Sequence, residues 1–265
     1  MKHNQILDKL ATRHLVESIE EDVARLVWLA MSPPADGVAA YAMPRLLPRW
    51  NCVLNAGKDE VADLYKQKTI LALAVVLHKY GVADKAITKK ALTAVDKLNK
   101  AVALSDGFFR KTDQIKALIE SEPEPLKRRP SYRDSLTFYR AGDVVAIQLG
   151  DVYYAAHVHE ILRFNEAPLI ELYDAEFSRR PALEEVLGKR AKGGPYNDGS
   201  ERVEKFSVAG MRNVPDLANL FVLLGSGIKD MPSSSHLKEA VGLYSVMDLF
   251  GLMAAIQRMF RNRKA

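Results

Sequence analysis

The sequence predicts an α+β fold: an N-terminal all-helical domain followed by a twisted antiparallel β-sheet module with a C-terminal helix packed on it. Apolar residues recur every three or four positions through most of residues 1–121, the period of a helix with one buried face. From Val144 to Tyr173 the period drops to two, and β-branched and aromatic residues take over. Between these regions lies Glu122-Pro123-Glu124-Pro125, followed by Lys127-Arg128-Arg129-Pro130. Prolines keep such a segment extended and charges keep it solvated, so 122–134 reads as a linker.

In chain order, Asn4 is a fitting cap for a first helix, with Leu7, Ala11, Leu15, Ile19, Val23, Leu26 and Ala30 as its stripe. Ser32-Pro33-Pro34 should stop it. Residues 37–56 contain Pro44 and Pro48 and read as short helical pieces, with Trp50 and Cys52 packed among them. Lys58 to Tyr80 reads as a long helix ended by Gly81. Its run Ile70–Leu77 is apolar throughout and too short to cross a bilayer, so burial on most sides is expected. Asp84 should cap the next helix, which sets Ile87, Ala91, Val95, Leu98 and Val102 on one face and Lys89, Lys90, Lys97 and Lys100 on the other. A last helix covers Phe108–Ser121. The helical domain is therefore expected over 1–121 and the β module over 135–232.

In the β module, Val144–Leu149 and Val152–Leu162 should pair through the Gly150-Asp151 turn. Asn165 and Pro168 mark a second turn before a strand at Leu169–Tyr173. On the middle strand, Val152, Tyr154, Ala156, Val158 and Leu162 make a core face. Tyr153, Ala155, His157, His159 and Ile161 make a more polar one, expected to stay open to water or a partner. Pro181–Lys189 reads as a short helix, Gly193–Ser200 as a flexible loop, and Val203–Ala209 and Leu217–Leu224 as further strands, for about five in all. Ser233-Ser234-Ser235 should open a final helix to about Arg261, within a segment 233–265 that packs across the two halves. Ala240–Ile256 has Asp248 as its single charge. A helix apolar nearly all round is expected to be buried between layers rather than membrane-spanning.

The string Ala141-Gly142-Asp143-Val144-Val145-Ala146-Ile147-Gln148-Leu149-Gly150-Asp151, then Tyr153-Tyr154-Ala155-Ala156-His157-Val158, then Ile170-Glu171-Leu172-Tyr173-Asp174, resembles the immunity protein 26 family. The family's opening strand follows Gly-Asp-(Val/Ile)-Phe-Ala-Ile-Pro-Leu. Here Val145 stands in place of the Phe and Gln148 in place of the Pro. The likeness covers about 50 residues and leaves out the first half of the chain. It implies an immunity protein of polymorphic toxin systems, which neutralises a cognate toxin in interbacterial competition by binding it, with no chemistry of its own. The cognate toxin is then the expected partner.

Composition fits this expectation. Hydrophobic residues make up 48% and charged residues 27% of the 265, as in an ordinary globular protein, which excludes a disordered or fibrous chain. Cys52 is the single cysteine, so no disulfide framework exists, and with no signal-like segment after Met1 a cytoplasmic location is expected. The net charge of +5 is unevenly spread: residues 135–232 carry 11 basic against 14 acidic groups, the reverse of a nucleic-acid-reading face.

No catalytic constellation is evident, and neither an enzymatic activity, a cofactor, a bound metal, a small-molecule substrate nor a membrane is expected. The glycines of 194–200 have phosphate-loop spacing but lack the lysine. His157 and His159 share a strand face, the arrangement of a two-imidazole metal site that still needs a third ligand, from Glu171 or Asp174. A metal-dependent enzyme built on that pair is one alternative. A nucleic-acid-binding regulator using the lysine face and the basic linker is another, set back because Asp96 dilutes that face. For partner binding, the candidates are Tyr153, His157 and His159 on the open face, Asp151 in the turn, and Tyr173 and Asp174 at the end of the third strand.

Overall fold

A computed structural model of the chain describes residues 1–32, 37–132 and 136–261. The expected stop at Pro33 and Pro34 and the basic tail residues Arg263 and Lys264 lie outside the described residues. The chain divides into two compact units, Met1–Arg133 and Asp134–Ala265, and the class is α+β as the sequence predicts.

The first unit is helical: α1 (His3–Lys9), α2 (Arg13–Ala30), α3 (Val38–Leu54), α4 (Asp63–Lys79), α5 (Lys85–Lys100), α6 (Asp106–Phe109) and α7 (Thr112–Glu120). Helix α4 is the hub, touching α1, α2, α3, α5 and α7. Its residues Thr69 to Leu77 are all buried, which is why its sequence shows no polar face there. Two expected helices are each divided. Ala11 takes φ 52° and separates α1 from α2, and a break at Arg110–Lys111 separates α6 from α7. Conversely, α3 runs straight through Pro44 and Pro48 instead of breaking into pieces. Interior prolines each cost about 3 kcal/mol or more. Here Leu46, Trp50 and Val53 are completely buried, and their packing holds the helix together. Asp84 caps α5 as expected, its Oδ1 accepting the Ile87 N–H at 2.9 Å.

The segment read as a linker is packed on this unit. Pro123 is buried, Arg129 lies over the Trp28 ring at 5.3 Å, and Tyr132 meets Trp28 edge-on at 5.9 Å. Gly81 (φ +75°) shows how close the approach is. A Cβ there would stand 2.8 Å from the Glu124 carbonyl oxygen and 2.9 Å from Pro125 Cα.

The second unit carries a six-stranded sheet in the order β7-β1-β2-β3-β6-β8. Its strands are β1 (Val144–Leu149), β2 (Val152–Leu162), β3 (Ala167–Leu172), β6 (Phe206–Ala209), β7 (Phe221–Gly225) and β8 (Ser245–Asp248). All neighbours are antiparallel except β6 and β8, which run parallel. Gly150 takes φ 64° in the β1–β2 turn, a conformation that favours glycine. A short helix α8 (Leu183–Val186) follows β3. The residues expected to form a free loop, Gly193–Ser200, hold β4 (Gly194–Pro195), which pairs in a small hairpin with β5 (Glu201–Arg202) just beyond them.

The expected helix from Ser233 is a correction. Residues 238–244 are exposed, Ser245–Asp248 is the edge strand β8, and the helix α9 spans only Leu249–Arg261. It is amphipathic, with Leu252 and Ile256 buried and Gln257 and Arg258 exposed, so it is not the all-round apolar helix expected. Parallel pairing with the distant β6 claims the first apolar residues for the sheet. Asp248 then caps the helix, its Oδ1 accepting the Gly251 N–H at 2.8 Å. Helix α9 packs against β6 and β8, and Phe260 meets Tyr154 with ring centroids 4.7 Å apart. Among the described residues no helix is long and apolar enough to cross a membrane.

Candidate functional site

The sheet face opposite Tyr154 carries Tyr153, His157, His159 and Tyr173. It was expected to be open; it is covered. Val144, Ala155, Tyr173 and Val186 form a buried cluster on it, with Phe177, Leu183, Leu224 and Ile228 packed against them. The covering residues come from the loop after β3, from α8, and from the end of β7 with the turn beyond. These segments are too short to announce an apolar face by periodicity. Tyr153, His157 and Tyr173 are buried there, and His159 keeps only 12% of its side chain exposed. Asp174, beyond the end of β3, is 10% exposed. Asp151, in the turn, is the exposed member of the six residues singled out by sequence.

What the fold brings together there is a buried polar cluster. Strands β2 and β3 pair with His157 opposite Glu171, and a bulge follows between Val158 and Glu160. The extra residue is His159, and the bulge re-aims it. Its Nε2 lies 2.8 Å from Glu171 Oε2, and its ring stands edge-on to that of His157 at 5.1 Å. His157 and Glu171 are each 3% exposed. Burial is the main force that lowers the His157 pKa. The neighbouring His159 and Lys205 push the same way, while Glu171 and Asp143 oppose them. Tyr173, 1% exposed, is pushed up to about 12, by burial first and then by Glu171 and Asp230. His157 is thus a neutral imidazole and Tyr173 a protonated phenol at neutral pH.

Several polar atoms of this face have no protein partner: His157 Nδ1, the Tyr173 hydroxyl and the Ser207 hydroxyl, with Asp143 Oδ1 beside them. The other Asp143 oxygen accepts the Arg140 N–H at 2.8 Å. Such groups are ordinarily satisfied by ordered water. As a metal site the pair falls short, since Glu171 is engaged by His159. Among the described residues no group of three or more His, Cys, Asp or Glu side chains is arranged to hold an ion. Asp174 is drawn to Arg190 at 3.7 Å and Lys192 at 3.8 Å instead. Cys52 is buried in α3, the packing role expected of it.

The exposed features lie elsewhere. The turn joining β2 to β3 carries Arg163, Phe164 and Asn165 at φ 52°, 53° and 72°, three left-handed residues in a row with no glycine among them. Phe164 at its apex is 97% exposed. The Asn165 carbonyl accepts the Thr137 N–H at 2.7 Å, which ties the turn to an extended stretch where Leu136 and Phe138 flank the buried Thr137 and are themselves exposed. Sequence reasoning found the turn through Asn165 but passed over the aromatic, and Pro168, expected in the turn, lies in β3 opposite Ile161. The available signal was a phenylalanine set between Arg163 and Asn165, outside either strand's alternation. Compared with known proteins, the chain matches no family model, no curated protein and no solved structure.

Proposed function

We propose that the chain works by binding another protein, and that this partner is a bacterial toxin which it neutralises. The strand string from Ala141 to Asp174 and its likeness to the immunity family support the toxin part. One observation carries the binding part: Phe164 stands 97% in water on a turn of three left-handed non-glycine residues. For Arg163 and Phe164 that conformation costs about 1–2 kcal/mol each, asparagine adopting it more readily, and strain of this kind gathers at ligand-contacting sites. With Leu136 and Phe138 nearby, Phe164 supplies what an interface core needs: large apolar anchors on a rigid support, rimmed by Arg163, Glu160 and Glu166. The docking surface is therefore the β2–β3 turn and not the buried polar face.

The test is co-expression with the secreted toxin encoded beside the chain's own gene. Cells should survive, and the two proteins should co-purify. Phe138→Ala/Phe164→Ala should lose protection while the circular dichroism and melting temperature of the purified protein stay unchanged. If no adjacent toxin is neutralised or retained, the reading is wrong.

A further inference from the structure

We propose that the cleft between α4 and α5 of the helical unit binds an acidic amphipathic segment of a protein partner. The cleft has a volume of about 610 Å3. Its lining includes the apolar Leu54, Ile70 and Ala86 and the lysines Lys89, Lys90 and Lys97. Asp96, the one acidic residue of α5, is turned to Lys116 at 2.6 Å. Among the described residues no ion pair engages Lys89, Lys90 or Lys97. Lys66 adds a fixed cation, its ammonium held by the Ala56 and Gly57 carbonyls, against a single carboxylate, Asp63, which accepts from Gln67. The cleft is therefore net positive, with Lys66, Lys89, Lys90 and Lys97 against Asp63.

The shape of the charge selects the ligand. Lys89 and Lys97 stand eight residues apart, about 12 Å or a little over two turns along the helix axis, with the neutral Thr93 between them. A helix with carboxylates two turns apart matches this pair, and its apolar side would sit on the half-buried Leu54 and the exposed Ala86. Nucleic acid fits less well: among the described residues no aromatic side chain lines the cleft to stack a base, and no arginine lines it to fork onto phosphate. The proposal rests on the protein-binding reading but not on the partner being a toxin.

The experiment uses the full chain and a fluorescent probe peptide, a helix of about four turns with Glu at every fourth position and Leu on one side. Anisotropy should show saturable binding that weakens as salt rises, as exposed charge pairs do. Lys89→Glu/Lys97→Glu should weaken it at least tenfold, with Lys89→Gln/Lys97→Gln as the substitute should the first variant misfold. The same peptide with Gln for Glu should bind at least tenfold more weakly. Phe164→Ala should leave probe binding unchanged. No binding, binding indifferent to the lysine variants, or tighter binding of an oligothymidine strand at the same site would each overturn the proposal. Probe binding alongside a failed co-expression assay would uphold the cleft and remove only the toxin.

Discussion

His159 Nε2 and Glu171 Oε2 meet at 2.8 Å on the covered face of the sheet, at the one place where β2 bulges against β3. Their contact is structural first. Glu171→Gln keeps the volume but removes the charged acceptor, and the mismatch falls on a residue 3% exposed. A loss of about 1–3 kcal/mol is expected in the unfolding of the second unit, read by urea denaturation. An unchanged midpoint would mean that the pair contributes nothing there.

Acid should weaken the same face. The folded-state pKa of His157 lies below its ordinary value, chiefly through burial, so the unfolded chain takes up the proton first. Stability from this residue is full above about pH 6.5 and falls as the pH drops from there toward the lowered folded value. Imidazole NMR resonances should show His157 titrating below 6.5, and a midpoint at or above it would contradict the expectation.

In the helical unit, Asp22 Oδ2 accepts Arg49 Nε at 2.7 Å and Trp50 Nε1 at 3.0 Å, all within the core. Asp22→Ala would remove a charged acceptor from a buried guanidinium and from an indole N–H. A cost of about 3–5 kcal/mol is expected, enough to lower the yield of folded protein, and measurable by thermal melting.

Phe164→Gly separates stability from function. Glycine relieves the left-handed strain at φ 53°, so stability should hold or rise by up to about 1 kcal/mol. Partner binding should fall by about 2 kcal/mol or more, as loss of a central aromatic anchor does. Calorimetry on the two-protein mixture, with a melt of the variant alone, reads both.

The central meander was legible because its cues are local. Alternation and the Gly150 turn place β1 and β2 at the expected bounds, and β3 falls within two residues of its expected start. Asp84 was legible for the same reason, since a cap is a feature of four neighbouring residues. Strand β8 was not, because its pairing partner β6 lies nearly forty residues upstream and its apolar residues continue smoothly into α9. The open polar face failed likewise: what covers Ala155 and Tyr173 is Phe177, Leu183 and Val186, contributions that are single residues in sequence and become a surface only in space. Phe164 escaped notice because exposure, the property that matters, is not written in residue type.

The contact of Gly81 with Glu124 and Pro125 also bears on how this protein should be cut. A fragment ending at Ser121, where the helical periodicity stops, would strip Trp28 of Arg129 and Tyr132 and leave the α4–α5 corner bare. Such a truncation invites aggregation through the uncovered indole, whereas one ending after Tyr132 retains the wrapping strap and should express as a monodisperse helical fragment.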